Sequence, residues 1–213
     1  MKFSWKHALN WSTAIAVITL VLAAIFSIVS SLILSGAPLA IGMLVVIVIV
    51  LIGIVFDAIG IAATAASEVP FQSMASNKVK GAKEALYICR NADRFSSFCN
   101  DVIGDISGIV SGTASAIVIL QLVYELGYAE DSYFHMLVGV VFTSLVAALT
   151  VGGKALGKSF AIHFSTPILL AVGKVFYYMN KKFHISLFNG KTKKKKRRRN
   201  GYLNGSGGNG NAR

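Results

Sequence analysis

Long apolar runs alternate with short polar connections along the chain, and their lengths predict membrane-crossing helices. Residues 12–34 carry no charge, and as an α-helix they would reach about 35 Å, more than a hydrocarbon core of roughly 30 Å. After Ser35-Gly36-Ala37-Pro38, a turn signal, a second run over 39–66 is interrupted only by Asp57. A third span is predicted over 95–124, holding Asp101 and Asp105, and a fourth over 133–151. Beyond it, Gly152-Gly153-Lys154 and Lys158 precede an apolar piece at 166–179 that is too short and too interrupted to count as a crossing. Residues 152–184 are therefore predicted as interfacial or re-entrant helices, with a helix start at Pro167.

The polar segments set the expected orientation. In 67–94, Val79, Ala82, Leu86 and Cys89 recur at helical spacing between lysines, as expected of a helical segment lying along a membrane surface. Lysine and arginine mark the cytoplasmic side of membrane proteins. They occur in 1–11 (Lys2, Lys6), in 67–94 (Lys78, Lys80, Lys83, Arg90, Arg94) and in the tail, whereas Glu125, Glu130 and Asp131 flank the third connection. The expectation is an all-α bundle of about four spans plus amphipathic interfacial helices. It lies in the cell membrane, with both termini cytoplasmic and the first span a retained signal-anchor.

Composition agrees with that class and removes others. The 213 residues are 54% apolar and 14% charged, too oily for a soluble domain of this size. The net charge of +12 is concentrated at the carboxyl end. There, the basic run 191–199 is expected to attract anionic lipid rather than nucleic acid, and 185–213 to form a disordered tail. Cys89 and Cys99 fit neither a disulfide framework nor a metal pattern. His7, His135, His163 and His184 fall in different segments, and no nucleophile–base set stands out, so no enzyme is expected and no cofactor.

Chemistry is expected where charge enters the spans. An ionisable group in hydrocarbon is costly unless it faces protein, water or a partner, which singles out Asp57, Asp101 and Asp105. Helical rise puts them roughly 14, 10 and 16 Å from the inner interface, so they would meet at one level. Asp101 and Asp105 share a helix face with Ser97, Gly104, Gly108, Ser111 and Gly112, and Gly53 and Gly60 flank Asp57. These five glycines are read as helix-packing positions that draw the carboxylates together. With Asn100 they would form an oxygen site for a hard divalent cation such as Mg2+. The alternative is that the aspartates are protonated, or neutralised by Lys154 as counter-charge.

Three elements in order resemble the transmembrane domain shared by cyclin-M proteins and the bacterial CorB/CorC magnesium-transport proteins. Phe56-Asp57-Ala58-Ile59-Gly60-Ile61-Ala62 is similar to the family's Phe-Ser-Gly-x-Glu-x-Ala element. Lys80-Gly81-Ala82-Lys83 with Asn91-Ala92-Asp93-Arg94-Phe95 resembles its small-residue and Asn-Pro-Asp-Arg-Phe pattern. Gly152-Gly153-Lys154-Ala155-Leu156-Gly157-Lys158-Ser159 resembles its Gly-Glu-x-x-Pro-Lys-Ser element. The resemblance spans roughly residues 50–180 and implies a homodimer with an ion site between spans. Asp57 stands at the family's serine position, and Asp105 or Ile103 at its asparagine. Lys154 replaces its glutamate, and a protonated ammonium cannot ligate a cation. The family's cystathionine-beta-synthase pair and corC-type domain are not expected here. Two functions follow: divalent-cation transport or binding, of Mg2+ or Co2+, and a non-transporting scaffold or regulatory protein with Lys154 in place of the ion.

Overall fold

The computed structural model describes residues 5–127 and 133–183, with side chains over 9–127 and 133–182. Expectations for Lys2, Glu130, Asp131, His184 and the tail, 191–199 included, lie outside the described residues, as do the side chains of Lys6 and His7.

Among the described residues every regular element is helical. The order is α1 (Trp5–Leu34), α2 (Leu39–Ala65), α3 (Glu68–Ser76), α4 (Ala82–Arg90), α5 (Ala92–Ser97), a π-helical segment (Phe98–Gly104), α6 (Asp105–Glu125), α7 (Tyr133–His163) and α8 (Ser165–Phe183). Four stretches are long and apolar enough to cross a membrane: Leu9–Leu34, Leu39–Ala65, Ala92–Glu125 and Tyr133–His163. The all-α bundle read from the apolar runs is therefore the fold observed. Leu20, Leu32, Leu44 and Leu137 stay largely exposed on its outside, as helices bathed in hydrocarbon require.

Breaks between helices fall where the backbone cannot continue. Pro38, with φ −57° and ψ 152°, precedes α2, and its ring prevents α1 from running through. The carbonyls left at the end of α1 find a side chain: Gln121 Nε2 donates to Leu34 O at 3.2 Å. Gly81 opens α4 at φ +81°, and a Cβ there would lie 2.5 Å from the Lys174 nitrogen. Both the left-handed backbone and the close approach of α8 call for glycine.

α2 is the central helix, packed against α5, the π segment, α6, α7 and α8. Along its length, Val46 joins Leu34, Ala114 and Val118 in one core cluster. Near its carboxyl end Ala63 meets Phe71, Ala85, Ile88 and Leu169, which ties α3, α4 and α8 to the bundle. A third cluster places Val102, Ile106 and Val110 against Ile15, Leu22 and Ala23 of α1.

Several element boundaries differ from the sequence reading. α7 does not end near Val151 but runs to His163 through Gly152, Gly153 and Gly157. Each helical glycine costs about 1 kcal/mol relative to alanine, yet Gly153 and Gly157 seat α7 directly on Ile54 and Ala58 of α2, so packing overrides propensity. α8 begins at Ser165, two residues before Pro167, and a proline in the first turn gives up no helical hydrogen bond. α1 starts at Trp5 rather than at residue 12.

Candidate functional site

The site is assembled by the glycines of α2 and α7. On one side of α2, a Cβ on Gly53 would sit 2.9 Å from Ser107 Cβ, and one on Gly60 would collide with Asn100 Oδ1. On another side, a Cβ on Gly153 would collide with Ile54 Cδ1, and one on Gly157 would lie 3.6 Å from Ala58 Cβ. Three helical stretches thus approach closely around α2, and Asp57 lies in their seam.

Lys154 enters the same seam from α7. Its Nζ is 4.0 Å from Asp57 Oδ1, with the two side chains 27% and 17% exposed. Gly104 of the π segment closes the third side. A Cβ there would lie 3.7 Å from Lys154 Nζ, 3.8 Å from Asp57 Oδ1 and 3.4 Å from the Cys99 carbonyl oxygen, so the missing side chain leaves room for the pair. At 4.0 Å the contact is coulombic rather than a hydrogen bond. Such a pair is worth about 4 kcal/mol at an effective dielectric constant near 20, before the cost of desolvating both groups.

Asn100 sits one turn along α2, against Gly60. Its Nδ2 donates to Ser96 Oγ at 3.3 Å, while its Oδ1 is buried without a hydrogen-bond partner. A buried amide oxygen left unpaired costs on the order of 1–3 kcal/mol. It belongs to the π segment, and π-helical turns occur frequently at functional sites.

The other carboxylates are not brought to this place. Asp101 and Asp105 are exposed, and the described residues contain no group of three His, Cys, Asp or Glu able to hold a metal. The level read from helical rise agrees with the structure, since Gly104, between them, borders Asp57. The direction does not: the opposite face carries Val102, Ile106 and Val110, which bury against α1. Burial of three branched side chains, roughly 1.5–3 kcal/mol each, fixes the rotation of the helix. Gly108 and Gly112 go outward with the acids, and a Cβ on either would meet nothing within 4 Å, so of the five predicted packing glycines only Gly53, Gly60 and Gly104 pack within the chain.

Sequence reasoning put Ser111 on the face of the exposed acids and passed over Ser107 and Ser115, whereas α6 buries all three as a polar stripe. Ser107, Ser111 and Ser115 are at most 6% exposed, and each donates back to a carbonyl of the preceding turn: Ile103 O at 2.8 Å, Gly108 O at 2.9 Å and Ser111 O at 2.7 Å. Their i, i+4, i+8 spacing beside Val110, Ala114 and Val118 was the available signal. His163 packs edge-on to Phe164 with ring centroids 4.8 Å apart, away from the acids. Outside the spans, Cys89 Sγ donates to Ala66 O at 3.2 Å, and burial raises its thiol above the usual value.

The chain matches no family model, no curated protein and no solved structure. Fold and site define it as an all-α bundle with four helices long and apolar enough to cross a membrane and a lysine–aspartate pair between α2 and α7.

Proposed function

We propose that this chain is a non-transporting membrane scaffold or regulatory protein, in which the Lys154 ammonium fills the position that a cation would take beside Asp57. The observation that carries this reading is the 4.0 Å separation of Lys154 Nζ and Asp57 Oδ1 in a glycine-lined seam. A divalent ion entering there would meet a fixed positive charge and would need about six oxygen ligands, whereas Asp57 supplies a single carboxylate. Lys154 neutralises Asp57 and holds α7 against α2, keeping the bundle closed.

Divalent-cation transport, of Mg2+ or Co2+, is the second reading. It is favoured by the unpartnered Oδ1 of Asn100, an oxygen of the kind a hard cation takes. Ion passage would then require Lys154 to swing away from Asp57. A homodimer is favoured under both readings, because Asp101 and Asp105 face outward at membrane depth, where a carboxylate meeting lipid is unfavourable. The basic residues between the second and third spans favour cytoplasmic termini and the cell membrane as location.

Mg2+ uptake into proteoliposomes separates the two functions. The scaffold reading expects no flux above empty vesicles for the parent and for Asp57→Asn. Parent flux that Asp57→Asn and Asn100→Ala both abolish would replace it with transport.

A further inference from the structure

A groove on the flank of the bundle has no part in the Asp57 site. It encloses about 660 Å³ between α1, α2, α4, α5, the π segment and α8, within the roughly 300–1,000 Å³ of small-molecule sites. Its wall is apolar and aromatic: Trp11, Phe56, Phe95, Phe98 and Met179 among others. Phe95 and Phe176 meet edge to face at 6.3 Å. Trp11, Phe98 and Met179 remain 43%, 40% and 45% exposed, so the groove opens sideways, toward lipid in a membrane.

One cation stands at its rim. Arg94 lines the groove, and its guanidinium carbon lies 5.1 Å from the centroid of the Trp11 ring. Among the described residues it has no carboxylate partner, whereas Arg90, on the preceding helix, is bound to Glu68 at 2.9 Å. Arg94 stands at the interfacial end, as the third residue of the candidate span Ala92–Glu125. Ile59 and Phe56 lie about 9 and 14 Å of helical rise inward from Ala65, so the groove runs from the interface toward the hydrocarbon centre.

We infer that this groove holds a single anionic phospholipid, with an acyl chain along the aromatic wall and the phosphate on Arg94. The fork of guanidinium donors suits a phosphate, and a lipid chain satisfies an apolar wall that opens to the bilayer. Trp11 would flank the chain while bracing the guanidinium from its other side. Among the described residues, Arg94 is the only charged one lining the groove, so the site would select headgroup charge rather than chain type.

The test uses the full chain with Trp5→Phe, leaving Trp11 as the sole tryptophan, in phosphatidylcholine vesicles. Increasing fractions of phosphatidylglycerol or phosphatidylcholine with dibrominated acyl chains are added as quenchers. Brominated phosphatidylglycerol is expected to quench half-maximally at a several-fold lower mole fraction than brominated phosphatidylcholine. The preference should fall with added salt, survive Arg94→Lys and vanish in Arg94→Gln. Superimposable curves for the two lipids, a preference that persists in Arg94→Gln or ignores salt, or no quenching by either, as when a second copy or the chain's own tail covers the groove, would each overturn the inference.

Discussion

Lys154 Nζ reaches Asp57 Oδ1 at 4.0 Å across the crossing of α7 and α2. With both side chains mostly enclosed, removing one charge strands the other. Lys154→Met should lower the melting temperature in detergent, with a loss of about 1–2 kcal/mol, less than the roughly 3–5 of a fully buried, hydrogen-bonded pair. Asp57→Asn added to Lys154→Met should restore most of the loss. Additive losses in this double-mutant cycle would mean that the two groups do not interact.

The glycines of α2 and α6 should part company. Gly60→Ala forces a methyl group onto Asn100 Oδ1 and to 3.2 Å from Cys99 Cβ, and overpacking of this kind costs about 1–3 kcal/mol. Asn100→Ala should relieve part of it. Gly112→Ala meets open space and gains helix propensity, so it should be neutral or stabilising by up to about 1 kcal/mol. Thermal melts of the monomeric detergent fraction check both signs.

The rotation of α6 can be read by thiol labelling after Cys89→Ala and Cys99→Ala. Asp105→Cys should react with a small membrane-permeant maleimide about an order of magnitude faster than Ser107→Cys, because access controls the rate. Asp105 is exposed, whereas Ser107 is buried. Protection of Asp105→Cys that appears only in a dimeric fraction would identify the face covered by a second copy.

Outside the spans, Arg90 Nε donates to Glu68 Oε2 at 2.9 Å and, with Gln72, holds the Glu68 carboxyl below its usual value. A depressed folded-state value means stability that is present above the unfolded value of 4.5 and lost as pH falls through the folded one. Normalised hydrogen exchange of α3 and α4 should therefore speed up below about pH 4 in the parent. In Arg90→Gln that acid-dependent step should be absent.

Most of the fold was legible because the apolar runs are long enough, and apolar enough, to form helices of crossing length. Boundaries failed where packing overrode local signals: Gly152 and Gly153 read as a stop, yet α7 continues because Gly153 seats on Ile54. The site was half legible. Asp57 and Asn100 turn inward next to the glycines of α2, and the Lys154 counter-charge stands where that alternative put it. Asp101 and Asp105 come level with Asp57 but on the wrong side, because the glycine face suggests close packing while Val102, Ile106 and Val110 on the opposite face supply the larger burial. The unpartnered Asn100 oxygen and the groove beside Arg94 arise from contacts between distant segments, which no spacing rule reveals.

Whether Lys154 holds the place of a cation is decided by titrating Mg2+ calorimetrically into purified parent, Asp57→Asn, Lys154→Met and the Asp57→Asn/Lys154→Met double variant. A lysine standing in for the ion means no binding heat for the parent, binding by Lys154→Met, and its loss in the double variant. Binding by the parent that Asp57→Asn removes, with no gain in Lys154→Met, would show instead that the ammonium does not occupy the ion's position.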